Sequence, residues 1–208
     1  SQAVLAAPPT IEIYSGSGSG LGPTAGPVVT TFKLNANNPS DNNYVDYAPL
    51  TTATYTITNS AFNSASYQGS NDTNRPNLMI GGTGTTATVQ ATNVIQPLVS
   101  IGSAQNNMFA ASLQNAPTGC TNGSGCYSTN GGIRAGSSSS DTTANYGVAM
   151  FIKATGFAAL NVSTTNRVYV GRVQVNFNRP VTNPILQAAG MGGAVVGGLG
   201  YSAEFTLV

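Results

Sequence analysis

The sequence predicts an all-β chain: a single antiparallel β-sandwich, of jelly-roll or Ig-like type, with an extended N-terminal arm. Three observations carry this. Helical periodicity is nearly absent along the 208 residues. Short segments rich in Thr, Val and Tyr alternate apolar with polar side chains, the pattern of half-buried strands. Runs of Gly, Asn, Ser and Pro punctuate those segments at turn-like intervals.

The arm comes first. In residues 1–14 the odd positions Ala3, Leu5, Ala7, Pro9, Ile11 and Ile13 form an apolar row of period two, ending at Tyr14. That row is a strand with one apolar face. Pro8 and Pro9 cannot donate to a ladder, so Thr10 to Tyr14 carry the pairing and Ala3 to Ala7 follow separately. Burying Leu5, Ile11 and Ile13 contributes roughly 1.5–3 kcal/mol each. Ordering about ten residues of backbone costs a similar or larger total, so hydrogen bonds to a sheet edge must supply the surplus. Residues 15–27, SGSGSGLGPTAGP, read as a flexible hinge through Gly16, Gly18, Gly20 and Gly22.

The body, residues 28–208, follows as one domain. Strands are expected over 28–34 (VVTTFKL), 51–58 (TTATYTIT), 85–94 (TTATVQATNV), 98–101, 108–113, 148–155 (VAMFIKAT), 168–177 (VYVGRVQVNF) and 201–207 (YSAEFTL). In the last, Tyr201, Ala203, Phe205 and Leu207 share one face. In 168–177 the inward parity shifts at Gly171 and Arg172, as a β-bulge would make it. Strands of this number suit two packed antiparallel sheets or a closed barrel, of which the sandwich is preferred, and no fixed-period repeat points to a solenoid or propeller. GSSSSDTT at 136–143 reads as a surface loop.

Composition narrows function by exclusion. Charged residues are 6% of the chain, against roughly 25% in an ordinary domain. The net charge of +1 leaves little repulsion between copies. Seven scattered Lys and Arg do not form a phosphate-binding surface, so no nucleic acid partner is expected. With no His, neither a Ser-His-Asp nor a Cys-His arrangement exists. Asp41 and Asp46 are the one close carboxylate pair, and in NANNPSDNNYVDY they read as turn formers rather than as a glycosidase pair or, with Asn43, a calcium loop. The GSGSG and GGTG runs lack the Lys-Ser or Lys-Thr of a phosphate cradle. The chain is therefore read as no enzyme, with no cofactor and no metal.

Cys120 and Cys126, in CTNGSGC, read as a small disulfide ring; a zinc site cannot be completed from two ligands. A disulfide places the chain in an oxidising, extracytoplasmic compartment. No membrane span or signal peptide is visible, so the reading is of an exported chain whose leader has been removed. Asn71, Asn122 and Asn161 are candidate N-glycosylation acceptors, no more numerous than the abundance of Asn, Ser and Thr yields by chance. Exposed Tyr and Asn are able to contact sugar, although Trp, the best stacking platform, is absent.

In layout, this arm, hinge and β-rich body resemble the subunits of extracellular fibres and pili built by donor-strand complementation. There, a β-sandwich lacking a strand receives the N-terminal extension of its neighbour. The resemblance implies a cell-surface homopolymer, growing head to tail, with Leu5, Ala7, Ile11, Ile13 and Tyr14 in the donor strand. A second likeness, of VYVGRVQVNFNRPVTNPIL to β-sandwich modules of bacterial surface proteins, implies the same location. The alternative is a monomeric adhesin or lectin-like domain whose arm folds on its own body.

Overall fold

The computed structural model describes residues 11–17, 20–35, 43–61, 78–84, 89–101, 136–142, 144–153, 157, 163, 165–186, 188, 190–194 and 200–208. Their strands, in chain order, are β1 (Glu12–Ile13), β2 (Val28–Asn35), β3 (Tyr44–Val45), β4 (Thr51–Thr58), β5 (Leu78–Ile80), β6 (Thr83–Gly84) and β7 (Val89–Gln90). β8 (Ile95–Pro97), β9 (Tyr146–Val148), β10 (Met150–Ile152), β11 (Arg172–Phe177), β12 (Gly192–Ala194) and β13 (Gly200–Ser202) complete them. The chain is all-β, and every strand pair described is antiparallel.

The principal sheet runs β1-β2-β4-β11, with β3 also on β2. Its two long inner strands are the TTATYTIT and VVTTFKL segments, where β-branched residues suit a half-buried pleat. Register sets the face: Val28 opposes Tyr55, Thr30 opposes Ala53, and Val173 opposes Ile57. Because side chains alternate, one side of the sheet collects Val28, Ile57 and Val173. Onto it pack Leu78 and Ile80 of β5, Val94, and Ile95 of β8, which form the buried cluster with Ile13, Tyr55, Tyr146 and Val148 around it. Each fully buried aliphatic side chain here contributes about 1.5–3 kcal/mol.

Several predicted strands change shape. Of the segment 85–94, residues 85–88 lie outside the described residues; Val89–Gln90 pairs with Thr83–Gly84, and Asn93 then bridges Leu21. Residues 98–100 form a 3-10 turn instead of a strand, because the apolar run follows Pro97 and closes on itself through Ile101 N–H to Leu98 O, 2.9 Å. The 148–155 strand divides at Ala149, whose N–H donates to Val94 O and whose carbonyl accepts from Gly81 N–H, so β9 and β10 serve different partners. The 168–177 segment joins the sheet only from Arg172, while Val170 accepts from Ala61 N–H at 3.0 Å. The 201–207 strand is Gly200–Ser202, followed by one more hydrogen bond from Ala203 N–H to Met191 O, and residues 204–208 leave the ladder. The predicted strand over 108–113 lies outside the described residues. Ser137 to Ser140 are exposed, with Asp141 accepting from the Ser137 N–H and hydroxyl, as a surface loop requires.

Candidate functional site

The N-terminal segment carries the strongest functional expectation, and its described part sits on a sheet edge of the same chain. Glu12 opposes Lys33 and Ile13 opposes Phe32 on β2. The Tyr14 N–H extends the contact by donating to Thr31 O at 2.8 Å. The strand then stops in a tight turn: Tyr14 O accepts from the Ser17 N–H at 2.9 Å and from its hydroxyl at 2.5 Å. Ile13 packs against the core, and Ile11 is half-buried.

Glu12 is the least expected member. Glu12 is 9% exposed, and its carboxylate accepts from the Asn145 amide at 3.0 Å. A buried carboxylate must be paired or hydrogen-bonded, and this contact ties the N-terminal strand to the segment before β9. Sequence separation conceals it, since the partners lie 133 residues apart.

An aromatic and ionic cluster flanks the strand. The Tyr14 ring meets Tyr44 edge-on, with centroids 5.0 Å apart. Lys33 lies 4.2 Å over the Tyr14 ring and pairs with Asp46 at 2.7 Å. The Asp46 hydrogen bond and charge raise the Lys33 pKa. Burial first, then the charge of Glu12, push the Tyr44 hydroxyl well above the usual tyrosine range, while Ser15 partly opposes them. An open groove of about 620 Å³ lies here, lined by Tyr14, Thr31, Lys33, Asp46, Tyr47 and Leu50.

The described residues of the expected hinge make hydrogen bonds to the body. Gly20 O accepts from Val94 N–H, Gly22 N–H donates to Thr92 O, and Thr24 exchanges two hydrogen bonds with Ile80. Ala25 O accepts from Ile57 N–H at 2.7 Å. Residues 20–27 are thus a strap pinned to β5, β4 and the segment before β8. Glycine here serves close approach rather than freedom: a Cβ on Gly22 would stand 1.7 Å from Gly81 O. Gly26 has φ +96 beside Tyr55 O. Gly16 makes room for the Tyr14 ring, and Gly18 lies outside the described residues. A Gly-Ser-Pro run has the same composition in both roles, so sequence alone does not separate them.

Leu5, Ala7, Cys120, Cys126, Asn71, Asn122, Asn161 and Asp41 also lie outside the described residues. Asp46, offered as half of a carboxylate pair, is engaged by Lys33. Among the described residues no group of three or more His, Cys, Asp or Glu is placed to hold a metal ion. Nor is any described helix long and apolar enough to cross a membrane. Comparison of the chain with protein-family models, curated proteins and solved structures finds no match.

Proposed function

We propose that this chain is a non-enzymatic structural subunit of an extracellular filament. Its body is a single β-sandwich, and copies join head to tail by passing the N-terminal strand, residues 3–14, to the sheet of the neighbouring copy. The observation that supports this is the docking of Glu12–Ile13 on β2: the edge accepts this segment, with Ile13 facing the core. A donor from a second copy makes the same contacts. Only residues 15–19 separate Tyr14 from the pinned strap, so opening the Tyr14–Ser17 turn is the step that releases the strand. Exchange of one element between identical copies preserves the strand's contacts with its sheet while giving up those of the opened turn, and a heterologous exchange that does not close gives a fibre. Donation within one chain competes through its effective concentration, in the millimolar range for short connections, so exchange grows with protein concentration.

A second reading is a monomeric adhesin or lectin-like domain at the cell surface. The buried Glu12–Asn145 hydrogen bond favours it by anchoring the strand in its own chain, and the groove beside Tyr14 and Tyr47 offers aromatic and polar contacts for a glycan. Size-exclusion over a wide concentration range separates the two. The filament reading expects a mass that climbs with concentration; a constant monomer mass throughout overturns it in favour of the binding domain.

A further inference from the structure

The contact of β1 with β2 is more particular than a sheet edge requires. The main-chain hydrogen bonds of strand addition are blind to sequence; side chains that enter receptors beside the ladder supply selectivity. The apolar row of the arm does not fix register by itself, because Ile11 and Ile13 stand two residues apart and a slip of two preserves their face. The discriminating side chains are those of the opposite face, Glu12 and Tyr14.

Each of the two enters a receptor built by other elements. Glu12, opposite Lys33, is buried and accepts from the amide of Asn145, just before β9, at 3.0 Å. The ring of Tyr14 lies between β2 and β3: Lys33 Nζ stands 4.2 Å from its centroid, and the Tyr44 ring meets it edge-on at 5.0 Å and 72°. Lys33 is itself positioned by Asp46 at 2.7 Å. This clamp asks for a ring, since a cation over the face and an aromatic edge both act on the π-system. A two-residue slip puts Glu12 opposite Thr31 or Asn35, and Tyr14 opposite Val29 or Lys33. Either slip carries both side chains about 7 Å along the strand from their receptors.

We infer that the β2 edge is a sequence-selective site for a strand of the pattern acidic–aliphatic–aromatic, here Glu12-Ile13-Tyr14. The carboxylate and the ring are the selected groups, and Ile13 is the apolar anchor. This rests on the filament reading only in naming the partner: a strand admitted from outside the chain is the same segment of a second copy. Of the six Asp and Glu in the chain, only Glu12 is followed two residues later by an aromatic side chain, so no other segment offers the pattern. Specificity is a difference of affinities. A strand with an aliphatic residue in place of Tyr14 keeps the ladder and the anchor but loses both ring contacts. The selection acts equally on a strand of the same chain, so it is measurable without filaments.

Hydrogen exchange of the Tyr14 amide in the full-length chain, followed by NMR, reads docking at the Thr31 carbonyl directly. Tyr14→Leu keeps an apolar side chain, and Tyr14→Phe keeps the ring. The protection factor at position 14 is expected to fall at least about tenfold in Tyr14→Leu and to stay within about threefold of wild type in Tyr14→Phe, with the β2–β4 ladder unchanged in both. A double variant, Glu12→Tyr with Tyr14→Glu, preserves composition, the apolar row and its parity, and is expected to lose protection at position 14 as Tyr14→Leu does. Wild-type protection in Tyr14→Leu or in the double variant, equal loss in the Leu and Phe variants, or loss that spreads through the β2–β4 ladder overturns the selection. Its failure leaves strand exchange standing on an edge blind to sequence, whereas failure of the filament reading leaves the selection in place within one chain.

Discussion

At the residue scale the fold depends on a few positions where no side chain fits or where a polar group is enclosed. Gly22 and Gly20 make a direct contrast. A Cβ on Gly22 would meet the Gly81 carbonyl at 1.7 Å, whereas one on Gly20 stands 3.9 Å from Val94. Overpacking of this kind costs typically about 1–3 kcal/mol. Gly22→Ala is therefore expected to lower the urea midpoint clearly, and Gly20→Ala to change it little. Equal, negligible effects would restore the flexible-hinge description. Glu12→Ala leaves the Asn145 amide without this acceptor in a buried place, a loss of about 1–3 kcal/mol. Glu12→Gln, which keeps an acceptor oxygen, is expected to lose less in the same denaturation experiment.

Tyrosines give the pH dependence. Burial raises the pKa of Tyr44, Tyr55 and Tyr146 above the usual 10.0. A folded pKa raised above its unfolded value means that the folded state holds the proton more firmly. The associated stability is complete below pH 10.0 and is lost as pH rises through the folded value. Unfolding is therefore expected on the alkaline side, with tyrosinate absorbance rising together with loss of structure. Tyr44→Phe should make stability less sensitive to pH in that window; an identical alkaline profile would remove Tyr44 from the account.

At the element scale, legibility followed locality. β2 and β4 could be read because their alternation and β-branched content are local properties, and their boundaries follow closely. Ile13 lies in a local period-two apolar row and packs against the core. The strap could not be read, because its glycines answer to the carbonyls of Gly81 and Tyr55, which are distant in the chain. The division at Ala149 depends likewise on Val94 and Gly81. The apolar row of residues 201–207 was visible, but only the structure separates paired Gly200–Ser202 from the exposed Phe205 and Leu207. Periodicity reports which face is apolar; it does not report whether anything covers that face.

At the scale of the whole molecule, low charge and open edges act together. Among the described residues, the ion pair Arg167–Glu204 is exposed on both sides and Lys33–Asp46 on the Asp46 side, the kind that contributes little and is screened by salt. Assembly through main-chain hydrogen bonds and apolar faces should therefore depend weakly on ionic strength. Light scattering of assembled material is expected to change little on adding moderate salt, and prompt dissolution would show that charge holds the copies together.

The most direct test of the filament claim is electron microscopy of the purified full-length chain beside a variant lacking residues 1–14. The account predicts filaments from the full chain, with at most short oligomers from the truncated one. Fibres of unchanged yield after truncation, or no fibres from the full chain at any concentration, would contradict it.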